Sequence, residues 1–100
     1  MNLQLLQLQI DNWIKSSEKG YFQPLTNLGI LMEEVGELSR IVVRTYGEQR
    51  SKESDIQKNI ADEMADVLWV LCALANQCNV NLKDAMQQNF TKKNTRDKHA

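Results

Sequence analysis

Acidic residues cluster in two short stretches of the sequence, and both stretches are candidates for chemistry. In LMEEVGEL, residues 31–38, Glu33, Glu34 and Glu37 stand within one helical turn of one another, with no lysine or arginine between them. EMAD, residues 63–66, repeats the arrangement with Glu63 and Asp66. Residues three or four positions apart share one face of a helix. Each stretch therefore predicts a group of neighbouring carboxylates on a helix.

Apolar residues flank both acidic groups, which predicts that the carboxylates border the interior of a helical bundle. Like charges at this spacing cost roughly 0.2–0.5 kcal/mol each on an exposed helix, and burial increases the cost. Compensation could come from raised pKa values, from an arginine elsewhere in the chain or from a bound cation. An all-oxygen ligand set favours Mg²⁺ or Mn²⁺ over zinc. The sequence has no Glu-x-x-His pair, which disfavours a di-iron site.

Four helices and no strand are predicted to position these acids. The apolar periodicity places the helices over residues 3–16, 24–46, 56–78 and 82–92. Pro24 suits a first helical turn and Gly47 suits a helix end. Ser54 followed by Gln57 predicts a capping box for the third helix. After Lys92 the sequence is polar and basic. The predicted fold class is all-α, a four-helix bundle.

The length of 100 residues predicts a single domain over residues 1–100. The third helix is apolar nearly all round, so it must be covered on every side. A domain this small buries only a modest share of its surface by itself. The sequence therefore predicts a homodimer, or a homotetramer built as a pair of dimers.

Composition and charge exclude several classes of protein. The formal net charge of −1 argues against a nucleic-acid polymer as the partner. The longest apolar run, residues 67–75, is too short to span a bilayer, and the first residues lack the pattern of a secretion signal. The prediction is a cytoplasmic protein with no membrane contact. Cys72 and Cys78 lack metal-site spacing and are expected to be reduced thiols.

The two acidic stretches carry a resemblance to a known family. EEVGE, residues 33–37, and EMAD, residues 63–66, resemble the EExxE and ExxD signature of the MazG-like, all-α nucleoside triphosphate pyrophosphohydrolases. Further similarity lies in GYFQPL, VRTYGE, DVLWVLCALAN and NTRDK, which are similar to the short single-domain MazG type. The resemblance covers nearly the whole chain.

This resemblance implies a hydrolase that cleaves the α–β phosphoanhydride of a nucleoside triphosphate, giving the monophosphate and pyrophosphate. It implies that Glu34, Glu37, Glu63 and Asp66 bind Mg²⁺, for which Mn²⁺ is a possible substitute. Glu33 matches the first acid of EExxE and is assigned a catalytic role, as a further ligand or as a base that orients the attacking water. Metal ions neutralise crowded phosphate oxygens and help to position water, so a magnesium centre would supply the positive charge that the acids lack.

Several residues outside the two acidic stretches are candidates for substrate binding. Trp69 follows Asp66 by three positions and could stack a nucleobase, as could Trp13. Lys92, Lys93 and Arg96 could bind phosphate oxygens. Each of these residues could instead have a structural role only. The tryptophans could belong to the hydrophobic core, and the basic residues could belong to a solvated tail.

Alternative functions remain open at this point. Enzymes that hydrolyse non-canonical nucleotides, dUTP or dCTP, or phosphoribosyl-ATP have related acidic signatures. The metal-ligand residues therefore do not identify which of these is the substrate. Outside the enzyme class, a non-catalytic helical module could use the acids to bind a basic partner.

Overall fold

The computed structural model describes residues 2–47 and 53–98. Within them it contains four helices and no strand, as predicted. The helices are α1 (Leu3–Ser16), α2 (Pro24–Tyr46), α3 (Glu53–Gln77) and α4 (Leu82–Lys98). None of these described helices combines the length and the apolar character needed to cross a membrane.

Local sequence signals explain where the first two helices begin and end. The side chain of Asn2 accepts a hydrogen bond from the backbone N–H of Leu5 at 2.9 Å and so caps α1. Pro24 is the first residue of α2. A backbone N–H at this position has no partner within the helix, so the N–H that proline lacks costs no hydrogen bond. Between the two helices, Gly20 has a φ of 62°, a left-handed conformation that glycine adopts readily. The predicted bounds of α1 and α2 are confirmed.

Two predicted helix boundaries are wrong. Helix α3 begins at Glu53, so Ser54 lies inside its first turn and the predicted capping box at Ser54 does not start the helix. Helix α4 continues past Lys92 to Lys98. Its second half contains no glycine or proline, and its lysines and arginine are good helix formers, so nothing ends the helix where the apolar pattern fades. Most of the predicted loop between α2 and α3 lies outside the described residues.

The described chain divides into two compact units. The first unit comprises residues 2–21 and 72–98, and the second comprises residues 22–47 and 53–71. In the first unit α1 packs on α4, and its core is formed by Ile10, Ile14, Cys72 and Ala73. Cys72 is fully buried and Cys78 is exposed, and both are free thiols.

A buried glutamine ties three segments of the first unit together. The amide of Gln7 on α1, only 6% exposed, donates hydrogen bonds to Asn76 Oδ1 at 3.1 Å and to the carbonyl of Val80 at 2.8 Å. Its oxygen accepts a hydrogen bond from the backbone N–H of Leu82 at 2.7 Å. One side chain thus bonds a side chain at the end of α3, a backbone carbonyl in the following turn and the backbone N–H at the start of α4, where the first N–H groups lack helical partners.

Tyr21 extends this polar network. Its hydroxyl donates to Asp11 Oδ1 at 2.5 Å and accepts from Asn76 Nδ2 at 3.1 Å. Burial, together with the hydrogen bond to Asp11, raises the pKa of Tyr21 to about 12. The same hydrogen bond, assisted by Lys15 at 2.9 Å, lowers the pKa of Asp11. Tyr21 therefore acts as a hydrogen-bonded bridge within the first unit.

Candidate active site

The second unit brings acids from α2 and α3 together. Glu34, Glu37 and Glu63 each place one carboxylate oxygen so that these atoms lie within 4.8 Å of one another. Asp66 lies close enough to this group for its charge to raise the pKa of Glu34. Glu34 interacts with both Glu63 and Asp66, and Glu37 interacts with Glu63. The four acids form one group, called here the acidic cluster.

Two oxygens of the acidic cluster are buried and have no hydrogen-bond partner. They are Oε2 of Glu34 and Oε2 of Glu63. An unsatisfied buried polar atom costs free energy, and an unpaired carboxylate oxygen costs more than a neutral group. Native proteins rarely leave such atoms without a partner, so an unexplained pair points to an ion or water that would bind there.

The pKa values show the same deficit of positive charge. Burial raises the pKa of Glu63 to about 7, and the charge of Glu37 and hydrogen bonds with Glu34 and Glu37 add to the effect. Burial also raises the pKa of Glu34, as do the charges of Asp66 and Glu37, while the hydrogen bond from Glu63 acts in the opposite direction. None of the interactions behind these two shifts comes from a lysine or an arginine. Without a cation, Glu63 is therefore partly protonated near pH 7, and the protonated form of Glu34 is favoured in the same direction.

A divalent cation fits this arrangement. The donors are all carboxylate oxygens, the ligand type that Mg²⁺ and Mn²⁺ prefer. Like charges in close contact raise one another's pKa values, and an inserted cation reverses that effect. The cluster also contains two oxygens that lack partners. The residues present therefore match a hard divalent cation in donor type, charge and unsatisfied atoms.

The other predicted site residues lie outside the acidic cluster. Glu33 is exposed on α2 and does not belong to the group of three glutamates. Trp69 lies on α3 in the same unit as the acidic cluster and is 37% exposed. Trp13 on α1 is 61% exposed, and it belongs to the first unit. The predicted phosphate-binding residues also belong to the first unit, as exposed residues of α4: Lys92, Lys93 and Arg96.

The sequence reasoning missed a buried polar residue in the second unit. Asn27 on α2 is only 6% exposed. It precedes Glu34 by seven positions, so it lies on the same face of the helix two turns away. The sequence signal that could have identified Asn27 is its polar side chain at a position where the apolar periodicity of α2 predicts a buried residue, two turns before the acids.

Comparison with known proteins places this geometry in a family. The sequence model of the MazG nucleotide pyrophosphohydrolase domain matches residues 22–100. The chain belongs to the MazG family. The match includes both acidic stretches, and it confirms the resemblance that those stretches predicted.

Relatives of this MazG-family chain occur in Bacillus subtilis strain 168. The chain is 41% identical over 93 residues to the uncharacterized protein YpjD, covering 93% of this chain and 84% of the relative. It is 32% identical over 101 residues to the uncharacterized protein YvdC, covering 90% and 94% of the two chains. The similarity extends over nearly the full length in each case.

Solved structures of similar proteins share the fold. The crystal structure of a Bacillus-conserved MazG protein, described as a nucleotide pyrophosphohydrolase, is 36% identical with a TM-score of 0.82 and covers 100% of this chain and 97% of its own. The structure of the putative pyrophosphatase YpjD from Bacillus subtilis is also 36% identical, with a TM-score of 0.84, and the match covers 94% and 96% of the two chains. The four-helix arrangement is thus the MazG all-α fold.

Proposed function

We propose that this chain is a Mg²⁺-dependent nucleotide pyrophosphohydrolase that cleaves the α–β phosphoanhydride of nucleoside triphosphates, including non-canonical ones, in a house-cleaning role. The observation that carries the proposal is the acidic cluster, in which two helices converge their carboxylates and leave two buried oxygens without partners. Membership of the MazG family supports the reaction class. Mn²⁺ is the expected substitute cation.

In this proposal the acidic cluster holds the cation. Glu34, Glu37, Glu63 and Asp66 supply the oxygen ligands. When bound, magnesium neutralises charge on the phosphate oxygens and stabilises the leaving pyrophosphate. Burial of Oε2 of Glu34 and Oε2 of Glu63 limits competition from solvent, which strengthens their interaction with a cation.

The reaction itself is a hydrolysis. The oxygen of a water molecule forms a bond to the α-phosphorus, and the bond from that phosphorus to the α–β bridging oxygen breaks. Pyrophosphate leaves with the electron pair, and the nucleoside monophosphate remains. We assign Glu33 to orienting the water and accepting its proton; its exposure keeps the carboxylate open to solvent, where the proton is then released.

Substrate contacts outside the acidic cluster remain part of the proposal. Trp69, in the same unit as the cluster and partly exposed, is assigned to stacking on the nucleobase. Trp13 is a second stacking candidate, and the basic residues of α4, Lys92, Lys93 and Arg96, are assigned to phosphate oxygens. We also propose that residues 1–100 act as one domain, since the family match runs through both compact units, and that the protein works in the cytoplasm as a homo-oligomer.

The test is product analysis with a panel of standard, damaged and deoxyuridine or deoxycytidine triphosphates and phosphoribosyl-ATP, with Mg²⁺ or with a chelator. We expect metal-dependent release of pyrophosphate and a monophosphate. Glu63→Gln should abolish turnover while leaving the helical circular dichroism signal intact. Asp62→Asn is the matched control, since Asp62 is the neighbouring exposed acid on α3, and it should remain active.

Two results would count against the proposal. Turnover that persists in excess chelator would exclude a required cation. Absence of turnover on every nucleotide, together with no effect of Mg²⁺ on the melting temperature, would favour the non-catalytic module that binds a basic partner.

A further inference from the structure

Asn27 is the one uncharged polar residue that is buried in the second unit, among the residues that the structure describes. It is 6% exposed, and it already interacts within the protein. An amide can make up to four hydrogen bonds, two through its N–H groups and two through its oxygen. Burying an amide among apolar side chains costs free energy unless such bonds are made. A role for the amide is therefore expected at this position.

Helices α2 and α3 run in opposite directions. The link from Tyr46, the last residue of α2, to Glu53, the first of α3, is residues 47–52, and a link of this length spans at most roughly 25 Å. Parallel helices with Glu34 beside Glu63 would separate the two linked ends by roughly 33 Å, at 1.5 Å per residue. The part of α2 before the acids and the part of α3 after the acids therefore extend to the same side of the acidic cluster.

Asn27 and Trp69 both lie on this side of the acidic cluster. Asn27 is on the same face of α2 as Glu34, two turns before it and about 10 Å away along the helix axis. Trp69 is on the turn of α3 that follows Asp66. A nucleotide whose phosphates are held at the acidic cluster extends about this far from its α-phosphate to the outer edge of its base. The two helices therefore place an aromatic ring and an amide within reach of a nucleobase.

The least exposed side chains between Asn27 and the acidic cluster are apolar. On α2, Ile30 and Leu31 are half-buried. On the same side of the cluster in α3, Val67 is half-buried and Val70 is 8% exposed. Binding sites for small molecules have mostly apolar walls and a few polar groups that fix the orientation of the ligand. This part of the second unit has that composition, with Asn27 at its far end.

We propose that Asn27 forms hydrogen bonds with the Watson–Crick edge of the substrate's nucleobase and so selects which nucleotide is hydrolysed. Every nucleobase has hydrogen-bond donors and acceptors side by side on this edge, and the asparagine amide has a donor beside an acceptor. Asparagine pairs with adenine through two such bonds when proteins bind DNA. The inference rests on the proposed function, and it adds the residue that distinguishes one base from another.

Burial makes the amide of Asn27 a selective contact. A base without the matching groups would leave a buried N–H or C=O unpaired, and this penalty exceeds the cost of a small misfit against an apolar wall. Stacking on an aromatic ring such as Trp69 has little preference among bases, because every base has a π-face. In this arrangement Trp69 contributes affinity and Asn27 contributes the choice of base.

The test compares the preferred nucleoside triphosphate with its analogue methylated at the ring nitrogen of the Watson–Crick edge, where the methyl group blocks hydrogen bonding. The wild type should favour the unmethylated nucleotide by about ten- to 100-fold in kcat/KM, the value of a good two-bond contact. Asn27→Ala should lose most of this preference, because kcat/KM falls for the unmethylated nucleotide alone. Thr26→Val is the matched control, since Thr26 is the neighbouring exposed residue of α2, and it should keep the wild-type preference.

Two further measurements separate a base contact from a structural role. Asn27→Leu, which retains the volume of the side chain, should also lose the preference, and both variants should keep the helical circular dichroism signal. Calorimetric titration with Mg²⁺ should give the wild-type dissociation constant for each variant, because Asn27 lies two turns from the acidic cluster. A purely structural residue would instead lower kcat/KM for both nucleotides by the same factor.

The outcomes distinguish this inference from the proposed function. A wild type that hydrolyses no nucleotide would overturn both. A wild type that hydrolyses the methylated analogue equally well, or Asn27 variants that keep the wild-type preference, would overturn the base contact and leave the hydrolase standing. Loss of Mg²⁺ binding in Asn27→Leu would also overturn the base contact, since it would assign Asn27 to the metal site.

Discussion

The affinity of the acidic cluster for Mg²⁺ should depend steeply on pH, and Glu63 sets the expected size of the effect. Its pKa is raised to about 7, chiefly by burial. A carboxyl group must lose its proton before both of its oxygens can bind a cation, so protons and metal compete. For one competing proton with this pKa, the apparent affinity falls roughly two-fold at pH 7 and roughly eleven-fold at pH 6 compared with alkaline pH.

Isothermal titration calorimetry at pH 6, 7 and 8 measures this dependence directly. We expect the dissociation constant for Mg²⁺ to rise roughly ten-fold from pH 8 to pH 6 and binding at pH 7 to release about half a proton or more. The raised pKa of Glu34 acts in the same direction and steepens the curve. Asp62→Asn should preserve the dependence, and Glu63→Gln should weaken binding and flatten it.

Equal Mg²⁺ affinity at pH 6 and pH 8 would refute this reasoning. It would mean that Glu63 is already ionised in the metal-free protein, and hence that some other positive charge lies within the cluster. A pH dependence that survives unchanged in Glu63→Gln would instead assign the competing proton to another group, with Glu34 the first candidate.

Two further predictions concern stability. Because the folded-state pKa of Glu63 lies above its ordinary value of 4.5, its contribution to the stability of the metal-free protein is complete below about pH 4.5 and is lost as pH rises through about 7. Thermal unfolding in chelator from pH 4 to pH 8 should show this loss, and Glu63→Gln should reduce it. Tyr21→Phe removes a hydrogen bond to a carboxylate and should lower the free energy of unfolding by about 1.5 kcal/mol. The side chain of Tyr46 is 79% exposed, so Tyr46→Phe should change the free energy of unfolding by less than about 0.5 kcal/mol. Urea denaturation of the two variants measures both values, and equal effects would contradict the prediction.

The parts of the fold that the sequence predicted are those controlled by local signals. Helix α2 began and ended where predicted, since Pro24 and Gly47 act on the backbone within a residue or two. The end of α4 was misplaced because the prediction followed apolar periodicity, which fades after Phe90, while helix propensity does not. Where the two signals separate, only the three-dimensional structure shows which one decides.

The grouping of the acids was predictable for a related reason. Spacing within each stretch put Glu34 beside Glu37 and Glu63 beside Asp66, and the charge cost of each pair implied a common compensating partner. That only three glutamates share the closest group, and that Glu33 is exposed, depends on how α2 and α3 face each other. Neither residue spacing nor composition predicts how the two helices are rotated about their axes.

The polar network of the first unit was beyond sequence reasoning. Gln7 and Asn76 are 69 positions apart in the chain, and both are of a type that usually lies at the surface. A glutamine on an apolar helix face has no local feature that identifies its partners. Only the contact between α1 and the end of α3 explains why a polar residue is buried there.

The same network has a consequence for where this protein can be shortened. The family match starts at residue 22, so the whole of α1 lies before it. Yet α1 supplies Ile10 and Ile14 to the core that covers Cys72, and its Gln7 accepts the hydrogen bond from the first N–H of α4. A polypeptide trimmed to the matched region would uncover that core and leave the start of α4 without its partner. For expression, truncation or fusion, the unit to preserve begins with the first helix.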